Sequence, residues 1–126
     1  MGGVSDAAWW AITIDCNEPR TVAHFWSVLL ECSVTEPGPD RPGWLRLQPP
    51  TSGAPLINFQ PVDDLKQGKV RIHLDILVGE IEAAVQRVVA LGGTDTGEQE
   101  DLPRGRIAVM RDPEGNEFCL LSPPAR

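Results

Sequence analysis

The stretch VRIHLDILVGEIEAAVQRVVALGG, residues 70–93, changes its period in the middle. Residues 70–78 alternate, which predicts a strand with Ile72, Leu74 and Ile76 on one face and His73, Asp75 and Leu77 on the other. From Ile81 the apolar residues shift to helical spacing, with Ile81, Ala84, Val88 and Leu91 on one stripe and Gly92–Gly93 as the stop.

Reading outward, the same order occurs earlier. WAITIDC, residues 10–16, alternates with Ile12, Ile14 and Cys16 on one side and Ala11, Thr13 and Asp15 on the other. NEPRTVAHFWSVLLE, residues 17–31, then reads as a helix with Asn17 as N-cap, Pro19 in the first turn, and Val22, Phe25, Trp26 and Leu29 repeating inward. Setting Ala11 opposite His73 also sets Ile14 opposite Ile76 and Leu29 opposite Leu91, so the chain reads as an internal repeat. CSVTEPGPDRPG, residues 32–43, is dense in Pro and Gly and is expected to be loop. WLRLQ (44–48) and PLINFQPV (55–62) follow as strands around a PPTSGA turn (49–54), and DDLKQGK (63–69) reads as a linker. After the second helix, GRIAVMRD (105–112) and NEFCLLS (116–122) are strands joined by the turn PEGN. The expected organisation is one domain over residues 1–126, with module one at about 8–62 and module two at about 70–122.

Composition narrows the function. The 126 residues are 41% hydrophobic and 23% charged, ordinary for a soluble globular protein. A net charge of −7 disfavours nucleic acid and anionic membranes, which both need clustered Lys and Arg. No apolar run approaches a membrane span, and MGGVSDAAWW lacks the basic and apolar regions of a secretory signal. Cys16, Cys32 and Cys119 are odd in number without C-x-x-C spacing, which fits reduced thiols in a cytoplasm.

The strand faces locate a candidate site. The apolar sides are Ile12/Ile14, Leu45/Leu47, Ile57/Phe59, Ile72/Leu74/Ile76, Ile107/Val109 and Phe118/Leu120, expected under the two helices. The opposite sides carry Thr13, Asp15, Trp44, Arg46, Asn58, Gln60, His73, Asp75, Arg106, Met110, Glu117 and Cys119. A solvated face fills with Lys, Glu and Thr; this blend of Trp, Met and Cys with a few charges suits a cavity wall. His73 is either held structurally by Asp75 or turned to a ligand as an acid–base group. Cys119 in a strand reads first as a small buried hydrophobe, Trp26 as core, His24 as surface, and Arg104 with Arg106 as loop cations able to clamp an anion.

The paired modules, with FWSVLLE in the first helix and above all VMRDPEGNEFCLL at residues 109–121, resemble the glyoxalase-like group of the vicinal oxygen chelate superfamily, which includes glyoxalases, bleomycin resistance proteins and dioxygenases. The resemblance implies an α+β fold: two β-α-β-β-β modules forming one curled, mostly antiparallel eight-stranded sheet around a cavity, with helices on the convex face. It also implies a homodimer. The superfamily's four metal ligands carry over to Ala11, Gln60, His73 and Cys119, and only His73 keeps the usual residue. No metal cofactor is therefore expected. The expected function is binding, with possible transformation, of a small organic ligand; the alternative is a metal-dependent lyase or isomerase. His73 and Glu117 are the candidate catalytic residues, and Asp15, Trp44, Asn58, Gln60, Asp75, Arg106 and Cys119 the candidate ligand contacts.

Overall fold

The computed structural model describes residues 3, 6–49 and 53–124. Two compact units divide after Val62. The first runs β1 (Ala11–Cys16), α1 (Pro19–Leu30), β2 (Ser33–Thr35), β3 (Leu45–Gln48) and β4 (Leu56–Pro61). The second runs β5 (Asp75–Leu77), α2 (Ile81–Ala90), β6 (Thr94–Leu102), β7 (Gly105–Arg111) and β8 (Glu117–Ser122). Each unit folds into a four-stranded sheet, ordered β1-β4-β3-β2 and β5-β8-β7-β6. In both, the first and last strands pair in parallel and the remaining pairs are antiparallel. The repeat in the sequence is thus a repeat of topology in an α+β protein. The expected single eight-stranded, mostly antiparallel sheet is corrected to two separate mixed sheets, because backbone pairing closes within each unit.

In the first unit, register places Ile12 beside Ile57 beside Leu47, and Ile14 beside Phe59 beside Leu45. This is the apolar face read from alternation, and α1 covers it with buried Val22, Ala23, Phe25 and Trp26. Val22 and Phe25 each contribute about 1.5–3 kcal/mol on burial. The N-cap of α1 is Glu18, not Asn17, and Pro19 opens the helix. Asn17 instead donates through Nδ2 to the Val62 carbonyl at 2.9 Å, tying the end of β1 to the end of β4. α1 ends on Glu31 in the left-handed region at φ 53°, and the Cys32 N–H reaches the Ser27 carbonyl. Residues 32–43, expected as loop, contain β2, which is too short to carry an alternation signal. Of the expected turn at 49–54, residues 50–52 lie outside the described residues.

In the second unit, α2 buries Ile81 and Val88, and the Gly93 N–H closes it on the Val88 carbonyl. Two readings change. The strand expected over 70–78 shortens to Asp75–Leu77, and Ile72 is 80% exposed rather than part of the apolar face. Ahead of this strand the chain leaves the ladder, and the Val70 N–H is held by the Glu117 carboxylate. In β7 the two faces exchange: Met110 pairs with Phe118 and Ala108 with Leu120, all buried, whereas Val109 pairs with Cys119 on the other side. GRIAVMR is apolar on both faces, so only its partner strand fixes which one turns inward. β6 is acidic, with a register shift between Asp95 and Gln99, features that guard an edge strand. A side chain at Gly105 would meet the Ser122 carbonyl at 1.9 Å, so β7 begins where only glycine fits.

Candidate functional site

On the face of the second sheet away from α2, β5, β8 and β7 align Asp75, Cys119 and Val109 in one row, with Glu117 beside Arg111 in a neighbouring row. The segment before β5 folds against this face. It completes a cavity of about 290 Å³ whose lining includes Lys66, Lys69, His73, Arg111, Glu117 and Cys119. The His73 Nδ1 lies 2.9 Å from Asp75 Oδ1. A carboxylate can only accept here, so Nδ1 carries the proton, and a neutral ring keeps its lone pair on Nε2.

Glu117 sits between two donors: Lys66 Nζ at 2.7 Å from Oε1, and the Val70 N–H at 2.9 Å from Oε2. Burial pushes its carboxyl pKa up, but Lys66 and the Val70 amide together outweigh burial and hold it below 4.5. Lys66 also donates to the Gly68 carbonyl, which fixes the segment over the pocket. Burial, helped by the Asp75 charge, pushes the Cys119 thiol up. It stays protonated at neutral pH and is a weak nucleophile.

The first unit brings Trp44 and Asn58 together on the helix-free face of its sheet. They share a cavity of about 530 Å³ with Trp9, Trp10, Arg41 and Arg46. Arg46 Nε donates to Asn58 Oδ1 at 2.8 Å, and the Arg41 guanidinium lies 4.6 Å from the Trp44 ring centroid. Asp15 and Gln60 are register partners on the same face but do not line this cavity.

Arg106 belongs elsewhere. It shares the parity of Ala108 and Met110, turns toward α2, and pairs with Glu82 and Asp101. Those bonds raise its pKa, and the Glu82 carboxyl is lowered by its own backbone amide and then by Arg106. A cavity of about 740 Å³ beside the start of α2 includes Arg106, but that guanidinium is already paired twice. Met110 is likewise core and not cavity wall.

Lys66, Lys69 and Arg111 were not legible as site residues: the lysines lie in a segment that reads as a linker, and Arg111 ends a strand whose faces were exchanged. The turn at 112–116 is held by Asp112, buried, whose carboxylate accepts the N–H groups of Glu114 and Asn116 and the Asn116 side-chain amide. Burial pushes the Asp112 pKa up against those bonds.

The superfamily's four-ligand metal arrangement does not fit this chain, because Ala11 offers no donor atom. Another set exists within the second unit: His73, Asp75 and Cys119 each place one ligand atom within 4.8 Å of the others.

Two β-α-β-β-β units, each with a polar pocket on its helix-free face, define a glyoxalase-type scaffold. The Glyoxalase-like domain family matches residues 11–121, and the chain belongs to that family. Among curated proteins it is similar to the anthracycline biosynthesis protein DnrV of Streptomyces peucetius, 43% identical over 56 residues. That match covers 43% of this chain and 20% of DnrV. Among solved structures, a glyoxalase/bleomycin resistance protein/dioxygenase family enzyme from Burkholderia phytofirmans PsJN superposes with TM-score 0.74 at 16% identity, over 92% of this chain and 98% of that one. The fosfomycin resistance protein FosX of Listeria monocytogenes, solved with Mn(II) and dihydroxypropylphosphonic acid, gives TM-score 0.71 at 16% identity, over 98% and 93% of the two chains. At such identities these structures show the shared fold alone. Among the described residues, no helix is long and apolar enough to cross a membrane.

Proposed function

We propose that this protein binds a small organic ligand, without the superfamily's resident divalent metal, and that His73 is the ligand's principal polar contact. The observation that carries this is His73 itself: it lines the 290 Å³ pocket while Asp75 fixes its Nδ1, which leaves Nε2 for a ligand. Lys69 and Arg111 supply cationic donors beside it. The named relatives point the same way, since anthracycline biosynthesis and fosfomycin resistance both concern small organic molecules. If the ligand is transformed, His73 is the proton carrier. Glu117, held ionised by Lys66, is its charged companion.

In this reading the protein works in the cytoplasm, in keeping with its free cysteines, without a nucleic-acid or membrane partner, in keeping with its negative charge, and as a homodimer through its open sheet edges. The test is a thermal-shift screen of small organic acids and ketones followed by calorimetry on His73→Ala. The half-exposed ring contributes little to the core, so the variant should keep its melting temperature and lose the ligand. Unchanged affinity for every ligand found would sink the reading.

The His73–Asp75–Cys119 cluster favours a second reading, a metal-dependent lyase or isomerase using zinc or a similar ion. Mass-spectrometric metal analysis decides: a stoichiometric ion retained on purification and lost in Cys119→Ser establishes it, and a metal-free active protein removes it.

A further inference from the structure

We infer that the pocket of the first unit selects a planar aromatic anion, a fused ring carrying a carboxylate or phenolate; this rests on the small-molecule reading and names a ligand class for its other pocket. Three of the chain's four tryptophans, Trp9, Trp10 and Trp44, line this one cavity, and the fourth, Trp26, is core. Trp9 is 96% and Trp10 73% exposed. Indole surface left in water beside a cavity marks a binding site more than a packing defect. Trp10 is not adrift, because its carbonyl accepts the Leu56 N–H at 3.3 Å and so keeps it beside β4.

The polar groups specify charge. Arg41 and Arg46 line the cavity and, among the described residues, no carboxylate does, in a chain whose net charge is −7. The field there is therefore locally opposite to that of the whole molecule. Asn58 is only 7% exposed. Arg46 Nε can only donate, so its 2.8 Å contact fixes the Asn58 oxygen toward Arg46 and leaves the amide nitrogen as the group to be satisfied. No described group accepts from that nitrogen, nor from the terminal amino groups of Arg46. That nitrogen is not sealed from solvent, so an oxyanion entering the cavity exchanges water for charge-assisted hydrogen bonds to it and to Arg46. Arg41 lies over Trp44, which fixes the ring plane against which a flat ligand stacks. The volume, about 530 Å³, admits two or three fused rings.

The experiment is tryptophan-fluorescence titration of the full chain with 2-naphthoate, 1-hydroxy-2-naphthoate and anthracene-2-carboxylate, against 2-naphthalenemethanol and cyclohexanecarboxylate. The aromatic acids should quench saturably, and the neutral alcohol and the non-aromatic acid should bind about tenfold weaker or worse. Arg46→Gln should weaken the acids by about tenfold and leave the alcohol's affinity unchanged, whereas Trp44→Leu should weaken acids and alcohol together. Circular dichroism confirms folding of each variant, and Trp44→Phe, which keeps a ring, should restore part of the affinity.

No saturable response to any of the three acids overturns the inference, as does equal affinity for acid and alcohol. So does a Trp9→Ser/Trp10→Ser variant that alters sedimentation but not the titration, which would make these indoles a contact between copies. Failure here with retained His73-dependent binding leaves the proposed function standing. Arg46-dependent binding of the acids, with no ligand that depends on His73, removes the role proposed for His73 and keeps this one.

Discussion

Glu117 shows how one side chain organises a site. Its carboxylate takes both Lys66 and the Val70 amide, so it ties the segment before β5 across the pocket. Its folded pKa lies below its unfolded value, so the stabilisation is complete above pH 4.5 and is lost as pH falls through the lowered folded value. Glu117→Gln should cost about 1 kcal/mol near neutral pH. It should also flatten the acid limb of urea-melt stability measured between about pH 3 and 7; a limb of unchanged slope would disprove the pairing. Glu31 offers the opposite case. Its positive φ suits glycine better than an L side chain. Glu31→Gly should therefore raise stability by about 0.5–1 kcal/mol despite the added chain entropy, read as a shift of the denaturation midpoint. Neither role is visible in the sequence: Glu117 reads as one more polar residue on a strand, and its partners lie in a segment without periodicity.

At the scale of elements, a stripe confined to one face was readable and a doubled stripe was not. β1, β3, β4, β8 and both helices alternate or repeat cleanly, and their inward residues are those the periodicity selects, Phe25, Phe59, Val88 and Phe118 among them. β2 is too short to show a period, and β6 is so acidic that only pairing with β7 makes it a strand. In β7 both faces are apolar, and the register on β8 decides that Met110 is sealed while Val109 faces the pocket. That exchange is testable. Met110→Ala should cost about 2–5 kcal/mol, and Val109→Ala much less, in paired urea melts. Equal losses, or the reverse order, would restore the register expected from sequence. The site was partly legible for the same reason. Glu117 and Cys119 share a pocket because alternate residues of β8 share a face, and His73 joins them from the segment before β5, whereas Arg106 was lost to Glu82 when the β7 faces exchanged.

At the scale of the whole molecule, the repeat was legible but its closure was not. Alternation says which face of a strand is buried; it does not say where a sheet ends. Both sheets end in parallel-paired strands, β1 and β5, whose outer backbone groups have no ladder partner among the described residues. β6 is defended by acidic residues and an irregular register, and β2 by its brevity. β1 carries only Asp15 as a charge, and β5 carries Leu77 at 78% exposure. Undefended edges of this kind recruit a strand or an apolar surface, and a second copy is the commonest recruit, through a two-fold interface. The expected outcome is a homodimer at tens of micromolar in analytical ultracentrifugation. Each copy carries a net charge of −7, so two copies repel at low ionic strength and added salt screens that repulsion. Dimerisation should therefore tighten several-fold between about 10 and 150 mM salt, the range over which the Debye length falls from about 30 to 8 Å. An association that weakened with salt would instead rest on opposite charges across the interface. A monomer throughout this range would mean that the edges are covered without a second copy.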